Sequence, residues 1–183
     1  MTKICAFLAL GLEEVECLAT VDVLRRAGMD VTLVSVGKEL MITGSHNISV
    51  VCDRMFDRAF CEDADLLFLP GGMPGTTNLG EHEELCALIR EFNEKSDKRL
   101  AAICAAPIVL GANGCLEGKT VTCFPGCEDE LGGGRYIDVA VVTDSNVTTA
   151  RGLGAALDLG IEIVRLYQGE EIALNLKNAI QYR

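Results

Sequence analysis

Apolar and polar positions along this chain switch repeatedly between two periods. "KICAFLAL" (3–10) has the apolar run length of a buried strand, and from Glu13 to Ala27 the spacing becomes helical until Gly28 stops it. "DVTLVSV" predicts a second strand, and residues 40 to 52 alternate around "TGSHN" as a hairpin-like excursion. "ADLLFLPGG" predicts a third buried strand ending in a glycine turn, with a helix from about Asn78 to Asn93. "RLAAIC" is the next strand, followed by a short helix. "VTC", "VAVVTD" and "VTTA" read as strands, "RGLG" as a turn, and Ala155 to Tyr167 and "GEEIALNLKNAI" as the closing helices.

Apolar strands separated by helices imply an α/β fold, a mostly parallel sheet covered on both faces. Such a sheet binds ligands at the carboxyl ends of its strands. No linker, repeat or low-complexity tract divides residues 1–183, so a single domain is expected.

Composition narrows the partners. The net charge of −11 argues against nucleic acid and anionic membranes, and 49% hydrophobic residues indicate a globular chain. The opening "MTKICAFLALGLEEVE" superficially resembles a signal peptide, but glutamates follow at once without a small-residue cleavage site. It reads instead as the first strand of a cytoplasmic protein. Nine cysteines are many for the length, yet the number is odd and no secretory signal is evident, so reduced thiols are expected.

Three segments converge on the carboxyl edge of the predicted sheet: "GLEEVE", "LPGGMPGT" and "ICAAP". Cys104 stands between a strand and a helix, where a sharp turn exposes a nucleophile; Ala105 and Ala106 permit that turn and Pro107 suits a first helical turn. A helix amino terminus beside the sulfur favours thiolate, predicting a pKa well below the ordinary value of about 8.5. Against this, most free cysteines are small core residues, as Cys5 and Cys17 are expected to be. Glu16 shares a helical stripe with Thr20, Val23 and Ala27, which places a carboxyl on the sheet-facing side, where it would stay protonated; the plain alternative is a helix-start acid. Glu13 and Glu14 read as ordinary first-turn charges. Gly71 and Gly72 let backbone N–H groups face a ligand, and with the N–H of Ala105 they would form an oxyanion hole, although a Pro-Gly-Gly turn is also common for structural reasons.

"ALGLEEVE", "VDVLRRAGMDVTLVSV", "DLLFLPGGMPG", "AAICAAP" and "TARGLGAALDLGIEIV" together resemble the ThiJ/PfpI superfamily, and most of all its DJ-one branch, across essentially the whole chain. The resemblance implies a flavodoxin-like three-layer α/β/α sandwich with a nucleophile elbow, commonly a homodimer. It also implies an oxidation-prone Cys104 hydrogen-bonded to protonated Glu16, with Gly72 and Ala105 as backbone donors and no cofactor. Activities associated with the branch are glyoxalase-type conversion of methylglyoxal to lactate, removal of early glycation adducts, and redox sensing with chaperone behaviour. Peptidase and amidase labels also travel with the superfamily.

One departure stands out: "VTCFPG" places Phe124 where many relatives have histidine before the proline. Only His46 and His82 exist, and His82 reads as a solvated helix position. His46 lies in the "TGSHN" turn, near where relatives carry an anion-contacting arginine, and is either an exposed turn residue or part of the pocket. Phe124 and Arg26 are further pocket candidates, although Asp22 and Arg26 are spaced for a surface or interface ion pair. Cys123 and Cys127 have metal-pair spacing but no matching second pair, so no metal is expected. "RGLGAAL" lacks the third glycine of a dinucleotide fingerprint and reads as a close-packing turn.

The leading expectation is a cofactor-independent enzyme in which Cys104 thiolate attacks a small carbonyl substrate or a glycated group and Glu16 moves protons. The alternatives are a redox sensor or chaperone working through Cys104 sulfinate, and, with less support, a peptidase.

Overall fold

The computed structural model describes residues 1–182. In chain order its elements begin with β1 (Lys3–Leu8), α1 (Glu14–Arg26), β2 (Asp30–Ser35), β3 (Met41–Thr43), β4 (Ser49–Val51), β5 (Arg54–Met55) and α2 (Arg58–Cys61). The central part runs through β6 (Leu66–Leu69), α3 (Gly75–Gly80), α4 (Glu83–Glu94), β7 (Arg99–Ile103) and α5 (Pro107–Ala112). The last part comprises β8 (Thr120–Val121), β9 (Arg135–Tyr136), β10 (Val141–Asp144), β11 (Val147–Ala150), α6 (Ala156–Gln168) and α7 (Glu170–Ala179).

Seven strands form one sheet in the order β10-β11-β7-β6-β1-β2-β5, parallel throughout except for β10 at one edge. The apolar runs are buried because helices cover both faces: Leu66 to Leu69 and Leu100 to Ile103 are all inaccessible to solvent. One core lies beneath α1, α6 and α7, and the other beneath α2, α3, α4 and α5. The chain leaves β1 for β2 on one side and returns to β6 on the other. The sheet order therefore reverses next to β1, the position at which open α/β sheets bind ligands beyond their carboxyl ends.

Residues 40 to 52 do form a hairpin, β3 with β4, outside the main sheet. "VTC" differs from expectation: β8 pairs only with β9, in a separate two-stranded ribbon. The helix expected from Asn78 to Asn93 is two helices, because His82 adopts an extended conformation and its Nδ1 accepts the Leu85 N–H at 3.1 Å, capping α4. The His82 ring also packs against Phe56, with centroids 4.6 Å apart and planes tilted by 55°, so it is a half-buried cap and not a solvated position. Among the described residues no helix is long and apolar enough to cross a membrane.

Candidate active site

Cys104 follows β7 with φ 65°, a left-handed conformation that costs energy for any residue with a side chain. The neighbouring strand and loop hold it there: its N–H donates to Ala150 O at 2.9 Å, and its carbonyl accepts the Phe124 N–H at 2.8 Å. α5 begins three residues later with Pro107 in its first turn. Sheet edge, strained cysteine and helix start together make the elbow expected from "ICAAP".

Glu16 comes from the first turn of α1 and is only 1% exposed. Its position is fixed by Glu13, which caps the helix by accepting the Glu16 N–H at 2.8 Å. The stripe inferred from sequence is real: Thr20 donates to Ala156 O at 3.1 Å, and Val23 packs so closely on Gly160 that a Cβ there would lie 2.7 Å from its methyl. Glu16 Oε2 accepts the Gly71 N–H at 3.0 Å, and the carboxyl shares a hydrogen bond with the Cys104 thiol. The N–H groups of Ala105 and Gly72 donate to the same sulfur.

The glycine turn is sterically obligatory. A Cβ on Gly71 would lie 2.6 Å from both Cys104 Cβ and Glu16 Oε2, and one on Gly72, at φ 91°, would lie 2.2 Å from Glu13 N. Gly71 thus packs its backbone directly against Glu16 and Cys104, and Gly72 against the backbone that leads into α1.

The charge balance differs from the expectation of a strongly acidic thiol. Burial pushes the Glu16 carboxyl up to about 7, even though the Cys104 thiol and the Gly71 N–H favour its carboxylate. Burial, and then the charge and hydrogen bond of Glu16, push the Cys104 thiol up to about 12 against the two N–H donors. The reason is competition: two acids share one desolvated site, which accommodates a single negative charge far more readily than two. α5 has only six residues, and its amino terminus does not outweigh a carboxyl in direct contact.

Glu13 and Glu14 are not solvated first-turn charges. Glu14 is 1% exposed, accepts the N–H groups of His46 at 2.9 Å and Ile48 at 3.2 Å, and meets His46 Nδ1 at 3.2 Å. Burial alone would raise its pKa, but backbone N–H donors and His46 hold it below the usual carboxylate range. His46 therefore anchors the β3–β4 hairpin to the start of α1, one layer removed from the sulfur. Arg26 lies in the last turn of α1, about 15 Å along the axis from Glu16, where it pairs with Asp22 at 2.6 Å on the surface; it is not a pocket residue.

Phe124 does border the site. Its half-exposed ring lies beside Gly152, where a Cβ would be 3.4 Å from Phe124 Cδ2 and 4.0 Å from Glu16 Oε1. A groove of about 690 Å³ extends outward from there, lined by Phe124, Tyr136, Asp138, Arg151 and Leu153. Arg151 pairs across it with Asp138 at 2.5 Å. Sequence reasoning missed this wall, although the position of "ARG" after a strand at the carboxyl edge was a usable signal. Neither histidine is among the hydrogen-bond or charge partners of Cys104.

The chain is similar in sequence and in fold to known proteins. The chain is 37% identical over 168 residues to protein DJ-1 homolog A of Arabidopsis thaliana, aligning with 91% of this chain. It spans only 43% of that protein's length, and 39% of the related homolog B. It is 28% identical to the glutathione-independent glyoxalase DJ-1 of Schizosaccharomyces pombe, covering 90% of each chain. The structure of oxidized DJ-1 from Toxoplasma gondii superposes with a TM-score of 0.92 at 26% identity, covering 100% of this chain and 99% of the other. The model of the DJ-1/PfpI family matches residues 2–166, so the chain belongs to the DJ-1/PfpI family.

Proposed function

We propose that this protein is a cofactor-independent glyoxalase that converts small 2-oxoaldehydes to 2-hydroxy acids through Cys104 and Glu16. The observation that carries the reading is the contact of one buried carboxyl with both the Cys104 thiol and the Gly71 N–H, beneath a sulfur that also receives the Ala105 and Gly72 N–H groups. Cys104 thiolate adds to the aldehyde carbon and the protonated Glu16 passes its proton to the carbonyl oxygen, giving a hemithioacetal whose oxygen takes the Gly72 and Ala105 N–H groups and leaving Glu16 as the carboxylate. Glu16 then removes the proton from that carbon and returns it to the neighbouring carbonyl carbon, leaving a thioester of the 2-hydroxy acid. Water cleaves the thioester and restores the thiol, so the net reaction adds one water to the substrate. The name of the S. pombe relative agrees with this chemistry.

The test is lactate formation from methylglyoxal without glutathione. Turnover by the wild-type chain that disappears in Cys104→Ser and falls in Glu16→Gln supports the reading. A folded wild-type protein with no turnover would leave the redox reading, in which Glu16 hydrogen-bonds a Cys104 sulfinate, an arrangement the same contact favours. Peptide hydrolysis is not expected, because no histidine stands beside Cys104 to protonate a leaving amine.

The protein is also proposed to act as a homodimer. Val15 and Leu18 lie one turn apart on α1 and are 44% and 40% exposed, and Ile48 and Val51 of the adjoining hairpin region are 53% and 66% exposed. The Glu14 bonds to His46 and Ile48 hold these two segments together as one apolar face suited to a symmetric contact.

A further inference from the structure

Two loops are tied to the backbone of Cys104 and form the walls of a groove. One follows β11: Ala150 O accepts the Cys104 N–H at 2.9 Å, and the chain continues from it through Arg151, Gly152 and Leu153. The other carries Phe124 and Pro125, and the Phe124 N–H donates to the Cys104 carbonyl at 2.8 Å. Both walls therefore start at the nucleophile's own backbone. At Gly152 the groove also reaches the acid, since a Cβ there would lie 4.0 Å from Glu16 Oε1 and 3.4 Å from Phe124 Cδ2. With no side chain at Gly152, that side of the Phe124 ring stays uncovered.

The size and chemistry of the groove specify what fits. Its volume of about 690 Å³ falls within the roughly 300–1,000 Å³ span of small-molecule sites, and the methyl group of methylglyoxal would fill little of it. Phe124 and Leu153 line it and are 50% and 49% exposed, with Tyr136 and Pro125 beside them. The two charged side chains in it, Arg151 and Asp138, pair with each other at 2.5 Å, so neither is free to hold a carboxylate or phosphate. The net charge of −11 also disfavours an anionic tail. A neutral apolar group, by contrast, removes Phe124 and Leu153 from water, and a flat aromatic one packs edge-on or offset against the Phe124 ring.

We propose that this groove holds the substituent of the substrate, and that Phe124 and Leu153 select 2-oxoaldehydes bearing an aryl or other bulky apolar group over methylglyoxal. The inference rests on the glyoxalase reading of Cys104 and Glu16 and adds the substrate class to it. The two reacting carbons lie at the sulfur, and the substituent extends outward between the two loops.

Two measurements on the intact protein test the groove. The first compares kcat/KM for phenylglyoxal and methylglyoxal. In Phe124→Ala the ratio of the two should fall roughly tenfold, chiefly through a higher KM for phenylglyoxal, and in Leu153→Ala it should fall in the same direction. A ratio cancels any loss common to both substrates, and both side chains are half exposed, so truncating them leaves the core intact. The second measurement needs no turnover: Cys104 is alkylated with phenacyl bromide or bromoacetone, its thiolate displacing bromide in each. The label falls in tryptic peptide 100–119, which also holds Cys115, so fragment ions locate it. The phenacyl-to-acetonyl rate ratio at Cys104 should exceed that of N-acetylcysteine by roughly tenfold, and the excess should shrink in Phe124→Ala. A protein that turns over neither aldehyde yet shows this excess would end the glyoxalase reading and keep the groove as an aryl subsite. An alkylation ratio equal to that of N-acetylcysteine and unchanged by either substitution would overturn the groove, whether or not methylglyoxal is converted.

Discussion

Glu16 and Cys104 share one buried site: the carboxyl, 1% exposed, meets the thiol directly and takes the Gly71 N–H at 3.0 Å on Oε2. Their titrations belong to the pair. The first proton leaves near 7 and the second only near 12, and in the interval the remaining proton sits on carboxyl or sulfur in a ratio that pH does not change.

The rate of Cys104 alkylation by iodoacetamide should therefore rise through about pH 7, level off, and rise again only near 12. In Glu16→Gln the first step should vanish, and the thiol should titrate below 12, because the charge and acceptor that raised it are gone. A wild-type profile with one step at about 8.5 would show that the two groups do not share a proton.

The same shift predicts a pH-dependent stability. A carboxyl whose folded pKa is about 7 against 4.5 unfolded binds its proton more tightly in the fold. Its contribution is complete below about 4.5 and is lost as pH rises through about 7, amounting to about 3 kcal/mol. Urea unfolding of wild type and Glu16→Gln at pH 4.5 and 8 should show the difference between them moving by that amount in the variant's favour at the higher pH.

Gly71→Ala should lower turnover by roughly 100-fold, since the added methyl displaces Glu16 and Cys104 by a fraction of an ångström or more. Circular dichroism should report a retained fold with stability reduced by about 1–3 kcal/mol. Unchanged turnover would mean that the contact of acid and thiol is dispensable.

Glu14→Ala should free the hairpin. It leaves the N–H groups of His46 and Ile48 without their acceptor, at roughly 1–3 kcal/mol each. Hydrogen exchange should accelerate at residues 43–49 while β1 and β7 stay protected. In the wild type, where the Glu14 pKa is held below 4.5, the anchoring is present above that value and is lost in acid as the carboxylate protonates.

Leu18→Glu should shift the protein toward a 19.6 kDa monomer in sedimentation, because it places a charge in the exposed apolar face shared by α1 and the hairpin. A wild-type protein that is already monomeric at micromolar concentration would remove the basis for the proposed dimer.

Local sequence determined much of this protein. Apolar runs long enough only for buried strands fixed the parallel sheet, and helical spacing put Glu16 on the inner stripe of α1 beside Thr20 and Val23. The strand-to-helix junction at Cys104 was legible because its small residues and proline are local requirements of an elbow. Other features depended on partners distant in the chain. That Glu14 is buried and bonded to His46, that Arg26 lies at the far end of its helix, and that the Cys104 thiol rises instead of falling all follow from which groups the fold brings into contact. Periodicity reports which side of an element faces inward, but not what it meets there. Charge state and hydrogen-bond satisfaction are properties of that meeting, and for Glu14 and His46, brought together from α1 and the hairpin, only the tertiary structure provided it.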